Sequence, residues 1–274
     1  MRKVFVSCLL LVVNLVYSQA KENSNENVSD YKIEYQLNYQ PNKEDKDIRE
    51  SEIMYLYISN GKSKFGSEGK IKGDSIMSSQ KGTNKSRSNF MQLMSKIPET
   101  KFDYIVYKNV PKGSITFIQN IFKDWYKYEI DKKIFEWEIL PETQNYKGFK
   151  VQKAKTNFAG RKYEAWFTTE IPISEGPYKF NGLPGLILKL NDQKAHYVFE
   201  MIGVKKLNRK LNLEIPNKNF ISASKTELKE LVEDDKNNPM KAIESSGISI
   251  GFSEKQKKEL KKSRMFRNNP IELE

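Results

Sequence analysis

Glu164, Glu170 and Glu175 fall close together in a stretch crowded with aromatic, proline and glycine residues. Two carboxyls held about 5 to 10 Å apart across a sugar-sized cleft are what a paired-acid glycosidase needs. Pro172 and the Gly176-Pro177 pair bend the chain, so Glu170 and Glu175 are the two that can converge. On a strand, Glu164 shares a face with Trp166, opposite Tyr163, Ala165 and Phe167, which fits a solvent-side residue as well as a catalytic one. The segment therefore has two chemical readings: a cofactor-free hydrolase using Glu170 and Glu175, or acids that are merely solvated. Its aromatics offer a third. Trp166, Tyr178 and Phe180, with Leu183, Leu186 and Ile187, either line an apolar pocket suited to a lipid or glycan, or plug the end of a sheet.

Other chemistries lack their residues. His196 is the only histidine, and no Gly-x-Ser-x-Gly elbow accompanies it, so it reads as a turn histidine. A zinc site would need further imidazole or thiolate ligands. The glycines from Gly61 to Gly66 and the Gly69-Lys70 pair do not follow the phosphate-loop order, and no cofactor or metal is expected. Asp74-Ser75-Ile76 resembles a short acceptor motif for periplasmic O-glycosylation, which makes Ser75 a candidate modification site.

The elements that must position these residues alternate with period two. Tyr31, Ile33, Tyr35, Leu37 and Tyr39 mark one strand. A second, over 51–59, is apolar on both faces and belongs inside a sheet, and Asn60-Gly61 signals a hairpin after it. Phe90, Leu93, Met94 and Ile97 follow helical spacing up to Pro98, so a short helix is inserted within 74–97. Strands resume over 104–107, 114–119, 125–130, 135–140, 148–154 and 162–168. After the motif, Leu186, Leu188 and Leu190 form a strand expected to pair antiparallel with Tyr197, Phe199 and Met201 across the turn 191–194. Ser224 and Glu227 make a capping box for a helix reaching about residue 235, and Ser253 with Gln256 opens a more basic one. Like charges repel along that last helix, so a frayed or partly docked tail is expected. The fold class is mostly β with minor α: a single antiparallel meander sheet, curved or half-barrel, with short inserted helices and a C-terminal helical segment. Its expected organisation is an antiparallel β domain over 31–222 and a basic helical segment over 223–274.

Arg2 and Lys3, the apolar run from Val4 to Val16 and Tyr17-Ser18-Gln19-Ala20 read as a signal peptide over 1–20, cleaved after Ser18 or Ala20. A polar, disordered leader over 21–30 follows it. The apolar run is shorter than the roughly 20 residues a membrane span needs, and no transmembrane segment is expected in the mature chain. Export also removes Cys8, the only cysteine, and with it any disulfide, thiolate zinc site or cysteine nucleophile. The formal charge of +12 becomes +10 without Arg2 and Lys3. Outside the cytoplasm such a charge suits lipid headgroups or acidic glycans rather than nucleic acid, although the even spread of lysines along the chain fits a solvated surface better.

The run from Glu164 to Leu188, ending in Gly182-Leu183-Pro184-Gly185-Leu186-Ile187, resembles the GLPGLI family of exported bacterial proteins. Tyr146 to Val151, Ala154 and Gly160-Arg161-Lys162 resemble its lead-in. The resemblance implies export, a β-rich fold and no known catalytic residue. It marks Trp166, Glu170, Pro172, Gly176, Pro177, Tyr178, Phe180, Gly182, Leu183, Pro184, Gly185, Leu186 and Ile187 as the motif and candidate binding residues. Asn181 stands where glycine is frequent, and Asn tolerates the left-handed backbone such a site requires. The leading expectation is a non-enzymatic periplasmic protein, the cell surface or medium being alternatives. It binds an apolar or amphipathic envelope ligand, or serves an outer-membrane protein complex; the hydrolase and a structural interaction module are the alternatives.

Overall fold

The computed structural model describes residues 30–80, 87–121, 123–208, 210–241 and 253–274. The expected signal peptide and polar leader lie outside these residues, apart from Asp30. The first half of the chain supplies β1 (Asp30–Tyr39), β2 (Glu50–Ser59), β3 (Lys62–Ser67), α1 (Glu68–Gln80), α2 (Arg87–Met94), β4 (Tyr104–Lys108), β5 (Ser114–Ile121) and β6 (Asp124–Asp131). The second half supplies β7 (Glu138–Tyr146), β8 (Phe149–Phe158), β9 (Arg161–Thr168), β10 (Leu186–Asp192), β11 (Tyr197–Leu207), β12 (Phe220–Ser222), α3 (Lys225–Asn237) and α4 (Glu254–Phe266).

Among the described residues twelve strands form one open sheet in the order β12-β6-β5-β4-β3-β2-β1-β11-β10-β9-β8-β7. The mostly β class holds, and the sheet is two meanders rather than one. Strands β1 to β6 and β7 to β11 each pair in sequence, and β1 joins them by pairing antiparallel with β11 from Asp30 opposite Leu207 to Tyr39 opposite Tyr197. The short β12 adds to β6 in parallel. The expected pairing of β10 with β11 is present, with Leu190 opposite Phe199.

Local chemistry accounts for most boundaries. Ile33, Tyr35 and Leu37 are fully buried on β1, as alternation requires. Asn60 (φ 50°) and Gly61 (φ 69°) supply the paired left-handed residues of a tight hairpin. The strand expected over 135–140 begins later, at Glu138, and runs to Tyr146 along the sheet edge. Pro141, which has no amide to donate, sits where its register shifts, between Ile139 and Thr143. The helix expected within 74–97 is α2, whereas α1 has almost no apolar stripe and gave no periodic signal.

The sheet must curl. From β6 to β8 is nine steps in the strand order, about 43 Å if flat at roughly 4.8 Å per strand. Yet Lys179 Nζ lies 5.0 Å from the Tyr128 ring on β6 and 5.9 Å from the Phe158 ring on β8. The two halves therefore wrap around the segment between β9 and β10.

Beyond α4 the chain docks. Arg267 donates to both carboxylate oxygens of Glu50 (2.8 and 2.6 Å), and Asn269 donates to the Gln40 carbonyl (2.8 Å). Tyr197 and Tyr163 hydroxyls donate to the carbonyls of Asn269 and Ile271 (2.6 and 3.0 Å). Residues 267–274 form a strap held at both edges of the β1–β11 join.

Candidate binding site

The motif segment enters the curl under tight steric rules. A Cβ on Gly185 would sit 2.0 Å from the Thr168 carbonyl oxygen, so the chain closes on β9 only with glycine there. The left-handed backbone expected at Asn181 falls instead at Tyr178 (φ 53°) and Gly182 (φ 100°). A bulky residue in that region costs on the order of 1–3 kcal/mol and persists only where its surroundings hold it. Tyr178 is held by ring contacts to Tyr104 and Phe117 (centroids 5.5 and 6.4 Å) and by its hydroxyl, which donates to Glu272 (2.5 Å).

Glu175, one of the two candidate acids, is sealed in the interior. Lys108 Nζ and Ser63 Oγ meet its Oε2 at 2.7 and 3.0 Å, and Lys132 Nζ meets Oε1 at 3.0 Å. Lys108 also donates to the carbonyls of Gly176 (2.7 Å) and Phe180 (3.0 Å), so the ammonium's three donors all have acceptors. Burial lowers the Lys108 pKa, and the charge of Glu175 opposes that shift. Glu170 is exposed, and its Oε1 accepts from the Lys150 amide at 2.7 Å. The two acids share no partner.

The other motif residues divide by face. Phe180 is fully buried among Phe135, Phe158, Tyr163 and Trp137, and Leu183, Leu186 and Ile187 are core. Gly176 and Pro177 are buried, while Pro172, Gly182 and Pro184 are exposed. Trp166 lies on the opposite face of β9 beside Lys153 (5.8 Å), and Glu164 pairs there with Lys153 (3.1 Å), the solvent-side placement expected of it. Ser75 is exposed on α1.

Of the motif aromatics, Tyr178 borders a cavity. About 240 Å³ lies between the sheet, α3 and the strap, walled by Phe102, Tyr104, Phe117, Tyr128, Tyr178 and Tyr197, by Leu228 and Val232, and by Pro270-Ile271-Glu272. Tyr104 belongs to this wall, while its hydroxyl oxygen is buried out of reach of solvent and has no hydrogen-bond partner among the described residues. Burial raises its pKa well above 10, so the phenol is neutral and keeps its proton. Beside it, Lys179 donates to the Tyr128 hydroxyl (2.6 Å) and pairs with Glu272, whose other oxygen meets Lys225 Nζ at 3.0 Å. Burial brings Lys179 down to about 8 against the pull of Glu272, leaving it charged at neutral pH. For Glu272 burial pushes upward, yet Lys179 and the Tyr178 hydrogen bond leave the carboxyl below its ordinary value.

Tyr104, Tyr128, Lys179 and Glu272 were not among the expected site residues. Lys179 had a signal, since a lysine flanked by aromatics in an irregular segment is an odd surface residue. Glu272 had none, because its role depends on the docked strap.

His196 sits apart from this cavity. Its Nδ1 faces Arg161 Nη1 at 3.0 Å, which makes it the acceptor. Arg161 also bonds Asp192 (3.2 Å), Asn269 (2.7 Å) and the Pro270 carbonyl (2.6 Å). Among the described residues no group of three or more His, Cys, Asp or Glu could hold a metal, and no helix is long and apolar enough to cross a membrane.

Comparison with known proteins bears on the fold more than on the site. Residues 103–189 match the family model described as "Protein of unknown function (Porph_ging)", under half of the chain but including all of the motif. That match supports kinship with an uncharacterised family, while the GLPGLI name itself stays a resemblance of sequence. No curated protein matches. The fold resembles part of PNGF-II, solved in space groups P21 and C2, with a TM-score of 0.51 in each case. Identities are 18% and 17%, over 76% of this chain and 34% and 33% of PNGF-II. The chain thus spans about a third of PNGF-II, and at these identities what is similar is the architecture of the curled sheet.

Proposed function

We propose that this chain is an exported binding protein, not an enzyme, and that it holds a small amphipathic ligand in the cavity between the aromatic wall and the strap. The aromatic wall carries this reading: Phe102, Tyr104, Phe117, Tyr128, Tyr178 and Tyr197 all line a space of about 240 Å³. Such a wall suits an apolar or aromatic body, and the mixed charges around it, Lys225, Lys229 and Lys236 with Asp103, Glu233 and Glu274, suit a polar or zwitterionic end. The leader from Arg2 to Ala20 supports a site of action outside the cytoplasm.

Native mass spectrometry of the protein purified from its own cell envelope tests the proposal. The expected result is a small molecule retained by the wild type and lost from Val232→Glu, a half-buried wall residue of α3, at unchanged thermal stability. A wild type that emerges without ligand, and that takes up neither lauric acid nor a lysophospholipid, would overturn it.

A further inference from the structure

A second cleft opens at the turn end of the β1–β11 join, away from the aromatic cavity. Segments distant in sequence meet there: residues 40–49, Gly160 to Lys162, Asp192 to His196, and Asn269 with Leu273 of the strap. The space is about 890 Å³. Six cations line it, Lys43, Lys46, Arg49, Arg161, Lys162 and Lys194, against the carboxylates of Glu44 and Asp192. Asp192 is 2% exposed and already committed, accepting from Arg161 and from the Tyr197 amide (2.7 Å).

The two guanidinium groups are engaged. Arg49 donates to the Ala195 carbonyl at 2.5 Å, and Arg161 serves Asp192, His196, Asn269 and Pro270. Arg161 is 7% exposed, and its Nε is buried without an acceptor among the described residues. Lys43, Lys46, Lys162 and Lys194 have no ion-pair partner among the described residues. His196, at the floor of the cleft, registers the resulting field. Burial lowers its pKa most, and Arg161, Lys194 and Arg49 lower it further against the opposing charge of Asp192.

We propose that this cleft binds a multiply charged phosphate group. A carboxylate is matched best by a free arginine fork; Arg161 is tied up by four partners, and Arg49 spends one N–H on the Ala195 carbonyl. Beside the rest of Arg49, what remains free is a set of lysine point charges around an open space, which suits phosphate oxygens with no fixed orientation. A single negative charge would balance only one of the four unpaired lysines, whereas pyrophosphate or a phosphate monoester answers several. Neutral His196 adds an Nε2–H donor, since its Nδ1 is the acceptor for Arg161. The proposal is independent of the aromatic cavity.

His196 is also the means of testing it. It is the only histidine, so its Hε1–Cε1 correlation in an NMR spectrum needs no assignment. Titration with sodium pyrophosphate at constant ionic strength is expected to move that peak saturably and to raise the imidazole pKa. The triple variant Lys43→Gln, Lys46→Gln, Lys194→Gln should weaken binding about tenfold or more, and a distal triple Lys112→Gln, Lys147→Gln, Lys150→Gln should not. Equal movement with matched sodium chloride, or equal weakening by the distal triple, would overturn the proposal. Vesicles of phosphatidylcholine with and without phosphatidic acid separate the sources. Association that requires phosphatidic acid and fails in the first triple assigns a lipid headgroup, and pyrophosphate binding alone assigns a soluble phosphate.

Discussion

Two lysines enter the curl of the sheet, and both are fully buried, yet they are solved differently. Lys108 spends its three donors on Glu175 and two motif carbonyls, all supplied by neighbouring sheet and loop. Lys179 has Tyr128, four aromatic faces and one carboxylate brought by the distant strap. The first is a closed polar knot in a core. The second lies behind a cavity wall, bonded to Tyr128 and Glu272 of that wall, and its counter-ion arrives on a segment that can be removed without cutting the sheet. The contrast separates polar burial that holds the fold together from polar burial next to space.

That contrast can be broken or sharpened by mutation. Glu175→Ala strands Lys108 in the interior and should cost about 3–5 kcal/mol in urea unfolding, the range for breaking a buried pair. A loss below about 1 kcal/mol would mean the knot is not structural. Glu272→Gln should cost less, on the order of 1–3 kcal/mol. Lys179 already sits near 8, so it can shed its proton and escape the stranded charge. Chemical shifts of the Lys179 side chain should show its pKa falling further in that variant; an unchanged value would place its main counter-charge elsewhere.

Acid provides a finer test. The depressed Glu272 pKa contributes stability that is complete above the ordinary glutamate value and is lost as pH falls through the depressed one. Wild-type protein should therefore lose more stability than Glu272→Gln on titration from pH 5 downward, and equal losses would show that the pair contributes nothing. The smallest effect is expected at Tyr104→Phe. Removing an unpartnered hydroxyl should leave the unliganded protein within about 1 kcal/mol of wild type or slightly more stable. A larger destabilisation would mean that the hydroxyl has a partner after all.

Strands and hairpins were legible because their causes are local. Alternation along β1, the Asn60-Gly61 turn and the Ser224 capping box each involve neighbours within a few residues. The motif's role in shape was legible too, from glycines and prolines that exclude regular structure. What escaped was long-range. The β1–β11 join, the approach of Lys132 to Glu175 and the docking of Glu272 on Lys179 depend on partners far apart along the chain. The acids drew attention as candidate catalysts because spacing is visible in a sequence and burial is not; Glu175 turned out to be a sealed counter-ion. Conversely, the tail's lysines suggested repulsion, while its anchors, Arg267 and Asn269, bear no mark until Glu50 and Gln40 are seen beside them.

The pairing of β1 with β11 also sets a timetable. A chain emerging from its N-terminus can complete the first meander early, but one edge of β1 stays bare until nearly all of the second has followed. Until then every other residue of this ten-residue strand presents an open amide and carbonyl at that edge. The last pairing closes the widest loop in the sheet, so it should be the slow step, and any pause before β11 lengthens exposure to unwanted strand partners.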